Sequence, residues 1–180
     1  IRALWAPSTA IVDFTAVAEV YGRRVRESGG EIHVGARVTA VVRRDGVSNI
    51  ETEGGEYRAR FVVNCAGLHA DRIASLMDVR RDVRIVPFRG EYYTLRQDRE
   101  HLVRGLIYPV PDPDLPFLGV HFTRNVKGYV EAGPNAVLAT AREGYRKRDV
   151  NLRDLIDTLG FAGFWRVARR QWKTGAEEVN

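Results

Sequence analysis

The sequence predicts a mixed fold, α+β with an α/β portion. A helix, a β-meander and a strand–turn–helix segment occupy the first 80 residues. An antiparallel sheet and C-terminal helices follow over residues 81–180. Three observations carry this expectation. Residues 62–74, VVNCAGLHADRIA, pass from a β-branched run through a small Asn-Cys-Ala-Gly turn straight into a helical pattern. Upstream, Asp45-Gly46 and Gly54-Gly55 separate three strand-like runs, as hairpin turns do. At 87–93, PFRGEYY opens a second β region of different texture, starting at a Pro and carrying a buriable Arg.

Taken in order, Asp13 is placed to cap a helix over about Thr15 to Ser28, with Val17, Val20, Tyr21 and Val25 on one face and Gly29-Gly30 as the stop. Strands are expected over Ala36–Arg44, Val47–Thr52 and Tyr57–Asn64, the last delivering Phe61, Val62 and Val63 to a buried position. Gly67–Met77 reads as helix, with Leu68, Ile73, Leu76 and Met77 facing the core. Arg84–Pro87 and Glu91–Leu95 read as one interrupted strand. Ile107–Val110 and Phe117–Thr123 read as shorter strands around a Pro-rich loop at 111–116, and Tyr129–Ala132 as another after Lys127-Gly128. Gly133-Pro134-Asn135 reads as a turn into a helix, with Asn135 as its cap. From Asn151 the pattern is helical, with Leu152, Leu155, Ile156 and Leu159 inward.

Composition narrows the function classes. At 44% hydrophobic and 28% charged, the 180 residues suit one globular domain or parts of two. No apolar run approaches the roughly 20 residues of a membrane span, and no signal-peptide pattern opens the chain. The net charge of +5 is carried mostly by Arg. These cations are spread along the chain instead of lying on one aromatic-interleaved stripe, so no nucleic-acid partner is expected. One Cys forms no internal disulfide and no multi-Cys metal site, which points to a reducing, cytoplasmic compartment. Four scattered His lack metal-ligand spacing, so no metal is expected. No Gly-x-Gly-x-x-Gly occurs, and Ile1 is not a natural start. The chain therefore reads as the middle of a longer protein.

The strings PFRGEYY (87–93), IYPVPDPDLPFLGVHFTR (107–124) and GPNAVLATAREGY (133–145) resemble the L-2-hydroxyglutarate oxidase/dehydrogenase family. That family is part of the wider FAD-dependent, D-amino-acid-oxidase-like group. The resemblance implies a partial Rossmann-like FAD domain over residues 1–80 and an antiparallel substrate domain over 81–180. It implies FAD as cofactor, a small dicarboxylate as substrate, and oxidation of L-2-hydroxyglutarate to 2-oxoglutarate with hydride passing to flavin. The family's dinucleotide fingerprint would precede Ile1 and its C-terminal flavin segment would follow Asn180, so the chain alone is expected to be inactive. Reoxidation by oxygen and peripheral coupling to a membrane quinone chain both stay open, as does the oligomeric state.

Within that frame, Cys65, Ala66 and Gly67 are candidate cofactor contacts, because small residues at a strand-to-helix turn let backbone approach a ligand. A tight turn made small for packing is the alternative, and Cys65 suits packing better than nucleophilic attack. The resemblance adds Val38, whose backbone would meet the adenine; an ordinary strand valine would look the same. Arg89 could bind a substrate carboxylate bidentately or pair with an acid such as Glu91. His121 could remove the hydroxyl proton as hydride leaves, or be a satisfied core His. Thr123, two residues on, would share its face. Tyr108 could hydrogen-bond a carboxylate or be a core aromatic. Arg142 and Arg146 read as surface residues. The rivals are a related FAD enzyme acting on glycerol 3-phosphate or an amino acid, and a non-catalytic basic binding module.

Overall fold

A computed structural model describes residues 3–79, 82–111 and 119–179, with residues 173–179 described by backbone alone. Two compact units interleave along the chain. One takes Ile1–Ile32, Gly90–Val137 and Glu177–Asn180; the other takes His33–Arg89 and Leu138–Ala176. The sequence suggests a single change near residue 80. The chain passes between these units within strands β4 (Phe88–Thr94) and β6 (Val130–Leu138), and the segment from Leu138 onward is tied back to residues 68–84 by ion pairs and hydrogen bonds.

In the second unit, β1 (Val38–Arg44), β2 (Val47–Thr52) and β3 (Gly55–Ala59) form an antiparallel meander in that order. Asp45 and Gly46 both have positive φ, at 49° and 78°, as the tight hairpin turn requires. Thr52 closes the second hairpin: its hydroxyl donates to Gly55 O at 2.7 Å and accepts the Gly54 N–H at 3.1 Å. The third strand stops at Ala59, so the expected strand to Asn64 is corrected. Phe61 and Val63 are 85% and 84% exposed. A continuous β-branched run suits a strand buried between two neighbours, and none of the described strands pairs with it.

A 3₁₀ turn at Gly67–His69 leads into α2 (Ala70–Leu76). Adjacent α2 residues of opposite charge then organise the unit. Asp71 takes a two-pronged contact from the Arg142 guanidinium, one arm at 2.7 Å, and accepts the Ile85 N–H at 3.2 Å. Arg72 donates to Asp154 and, at 3.2 Å, to Asp157. The second oxygen of Asp154 accepts the Arg142 N–H at 2.9 Å, and Arg142 also donates to Leu68 O at 2.6 Å. Arg84 donates to Asp157 O at 3.1 Å and lies over the Phe161 ring. Arg142, expected at the surface, has a side chain only 4% exposed.

The same network corrects the expected orientation of α3 (Leu152–Leu159). Asn151 caps it, accepting from the Arg153 and Asp154 N–H groups. Its buried residues are Asp154 and Thr158, while Leu152, Ile156 and Leu159 are exposed. Residues 154 and 158 share one face of a 3.6-residue helix, and 152 and 156 lie opposite. Turning Asp154 toward Arg72 and the Arg142 N–H therefore turns the leucine side outward. The last helix, α4 (Ala162–Val179), is interrupted at Gln171, whose φ of −114° is not helical.

In the first unit, Asp13 caps α1 (Phe14–Glu27) by accepting the Thr15 N–H at 2.9 Å, as expected. The expected core face does not form: α1 buries no residue, and Val20, Tyr21 and Val25 are exposed. The sheet has the order β4-β6-β5, with β5 at His121–Arg124. β4 begins at Phe88, because the Ile85 N–H serves the Asp71 carboxylate instead of a strand ladder. Ile107 contributes a single bridge to Phe122. The expected loop at 111–116 and the start of the expected strand at Phe117 fall largely on 112–118, outside the described residues. Asn135 caps no helix. It lies inside β6, where pairing with neighbours on both sides carries the strand through Gly133-Pro134 despite the local turn chemistry. Val130, in this central strand, is fully buried.

The ion pairs predict acid sensitivity. Burial works to raise the pKa of Asp71, but the hydrogen bonds from Arg142, Ile85 and Arg72 outweigh it and hold the carboxyl below its ordinary value. For Asp154, burial is likewise outweighed by the Arg142 N–H and the Arg72 guanidinium. A folded-state pKa below the unfolded one adds stability above the unfolded value and loses it as pH falls through the folded value. Unfolding midpoints should therefore hold at neutral pH and drop below the ordinary aspartate range, about pH 4. Arg142→Ala should cost about 3–5 kcal/mol in denaturant unfolding, because it strands the largely buried Asp71 carboxylate, while the backbone N–H to Asp154 is kept.

Candidate functional site

The residues proposed for chemistry fall into two groups. In the first unit, the Ile107–Phe122 bridge is antiparallel, so Tyr108 stands opposite His121. Their rings stack with centroids 4.6 Å apart and planes 23° apart. On its other side His121 pairs with Gly133 of β6. Gly133 has a φ of 153°, and a Cβ there would lie 2.7 Å from the Tyr92 ring and 2.8 Å from Glu91 O. The absent side chain lets Tyr92 approach this part of the sheet closely. Burial raises the pKa of the Tyr92 phenol, with Glu131 and Tyr108 adding to the effect.

His121 is half-buried, and its Nδ1 lies 3.1 Å from Gly119 O. Thr123 shares its face by strand alternation. The Thr123 hydroxyl oxygen is buried and has no hydrogen-bond partner among the described residues, a condition that buried polar groups seldom keep unless something else satisfies them. Arg89 belongs to the second unit, where it donates to Arg146 O at 3.1 Å.

The second unit holds a cleft of about 630 Å³ whose walls include Val38, Thr39, Ala66 and His69, with Arg37, Arg72 and Arg153 as its cations and Glu143 and Asp157 as its acids. Asn64 shapes the turn beside it, accepting the Ala66 N–H at 3.2 Å and donating to Ala70 O at 2.8 Å. Gly67 has a φ of 52°, which glycine adopts without steric cost. Cys65 is exposed. His69, expected only to decorate the helix start, lies 2.9 Å from Glu143. Among the described residues, no group of three or more His, Cys, Asp or Glu could hold a metal ion.

Residues 1–175 match the family described as FAD dependent oxidoreductase. The chain belongs to that family. It is 49% identical over 180 residues to an L-2-hydroxyglutarate dehydrogenase of Indibacter alkaliphilus, covering 99% of this chain and 45% of that protein. It is 44% identical to a mitochondrial L-2-hydroxyglutarate dehydrogenase of Nematostella vectensis and 41% identical to an L-2-hydroxyglutarate dehydrogenase of Escherichia coli, covering 98% of this chain and 42% of each relative. The chain thus spans under half the length of these relatives. Among the described residues, no helix is long and apolar enough to cross a membrane.

The cofactor of an FAD-dependent oxidoreductase can be tested against the second-unit cleft. Val38 and Ala66, picked from separate parts of the sequence, line the same cleft. Ala66 brings the small turn to the cleft wall, and three arginines, Arg37, Arg72 and Arg153, stand there against two acids, Glu143 and Asp157, an excess of positive charge for an anionic ligand. These residues fit the nucleotide portion of FAD. Sequence reasoning missed Tyr92, although the alternation of PFRGEYY already sets Gly90 and Tyr92 on one face. It also missed Glu143, whose pairing with His69 spans 74 residues and leaves no local signal.

Gly133→Ala should displace Tyr92 and strain the backbone, costing about 1–3 kcal/mol in denaturant unfolding. An unchanged midpoint would show that the close approach of Tyr92 to Gly133 is dispensable.

Proposed function

We propose that the chain is part of an enzyme that oxidises L-2-hydroxyglutarate to 2-oxoglutarate. The substrate follows the names of the relatives, L-2-hydroxyglutarate dehydrogenases of bacteria and animals. The observation that carries the reading is the hydrogen bond at His121. A carbonyl oxygen only accepts, so Nδ1 carries the proton toward Gly119 O. In the neutral form of the ring the lone pair is then on Nε2, the atom a general base would use.

In this reading Nε2 of His121 takes the proton of the substrate hydroxyl. Tyr108, stacked against the same ring, offers its phenol to a substrate carboxylate, and Arg89 keeps, from its residue type alone, the role of a guanidinium for a carboxylate. Thr123, on the same strand face, orients the substrate or the imidazole. FAD, when bound, supplies the hydride acceptor. Val38, Cys65, Ala66 and Gly67 lie along its nucleotide. The meander and turn–helix within residues 1–80 thus serve a Rossmann-like cofactor domain, and the antiparallel sheet within 81–180 serves the substrate.

His121→Ala in the complete holoenzyme should lower turnover about 10²–10⁴-fold and leave the bound flavin content as in the parent. Equal turnover in parent and variant would remove His121 as the base.

A further inference from the structure

A cavity of about 570 Å³ lies in the first unit, and Tyr108 forms part of its wall. Arg104 and Arg124 line it as well, beside the apolar Trp5 and Ile11. Neither arginine meets a carboxylate among the described residues. Arg124 is half-buried and gives its N–H groups to three backbone carbonyls: Gly128 O at 2.6 Å, Glu100 O at 2.9 Å and Val103 O at 3.1 Å. These bonds fix the guanidinium in place without cancelling its charge. Arg104 is exposed and has no hydrogen-bond or ion-pair partner among the described residues. Two cations without a counter-charge, set in a partly apolar cavity that shares a wall with the Tyr108–His121 stack, suit an anionic group carried on a short apolar stem.

We propose that Arg104 and Arg124 form the subsite for the substrate carboxylate farthest from the reacting carbon. This rests on the reading of a hydroxyglutarate oxidised at His121. Arg104 contacts that carboxylate directly. Arg124, pinned by its three carbonyls, supplies a fixed positive charge behind it. The subsite selects dicarboxylates over 2-hydroxy acids that end in a methyl group, because the shorter acids leave the cations unpaired.

The test uses the complete holoenzyme and its Arg104→Gln variant, with flavin content as the folding control. Arg104 is chosen because it holds no backbone group. The KM for L-2-hydroxyglutarate should rise about ten- to a hundredfold with kcat nearly held, and inhibition by glutarate should weaken in parallel. L-2-hydroxybutyrate, which has the same reacting end without the far carboxylate, should be oxidised by the variant as by the parent. An unchanged KM and unchanged glutarate inhibition would overturn the subsite, as would an equal loss on both substrates. If the parent oxidises no L-2-hydroxyglutarate, the functional reading fails separately. Glutarate titrated against the flavin spectrum then decides the cavity: weaker binding by the variant supports the subsite, and equal binding overturns it.

Discussion

Two neighbouring residues of α2, Asp71 and Arg72, reach to charges 71 and 82 residues further along the chain, Arg142 and Asp154. The second unit is built around that crossing. Three segments distant in sequence meet there: the turn–helix after Asn64, the stretch at Arg84-Ile85, and the loop and helix from Thr140 to Leu159. Buried ion pairs add little net stability compared with apolar residues of the same volume, but they are costly to break singly. Their consequence is therefore arrangement more than strength. Asp154 can satisfy both Arg72 and the Arg142 N–H only with α3 turned charge-side in, and the outward leucines follow from that.

The crossing also bears on function. Arg72 and Asp157 line the cleft that contains Val38 and Ala66. The pairs that orient α2 thus also set the position of the small turn beside that cleft. In the first unit the comparable constraint is strand pairing. Phe122 is bridged by Ile107, and His121 is paired with Gly133. Those two register choices put an aromatic ring against one side of the imidazole and a residue without a side chain against the other.

Much of the local structure was legible in the sequence. The Asp13 cap, the Asp45-Gly46 turn and the helix after Gly67 each depend on neighbours within a few residues, and each formed. The errors share a physical cause. Arg142 reads as surface because nothing nearby shows that Asp71 will face it. Leu152 and Ile156 read as core because amphipathic patterns are taken to bury their apolar side, and here a carboxylate determines the face. Phe61 to Val63 read as a buried strand, yet a strand needs partners that none of the described residues supply. Asn135 reads as a cap because turn chemistry is local and sheet pairing is not. For the candidate site, His121 and Tyr108 could be picked out as residue types, but their stacking comes from the Ile107–Phe122 bridge, which spacing alone does not disclose.

The most direct measurement is an anaerobic titration of the complete, flavin-loaded protein, following the visible absorption band of the oxidised flavin. L-2-hydroxyglutarate should bleach that band, with 2-oxoglutarate formed in equal amount to the flavin reduced, and glycerol 3-phosphate and amino acids should leave it unchanged. A flavin that stays oxidised with L-2-hydroxyglutarate but is bleached by one of the others would contradict the assignment of the substrate.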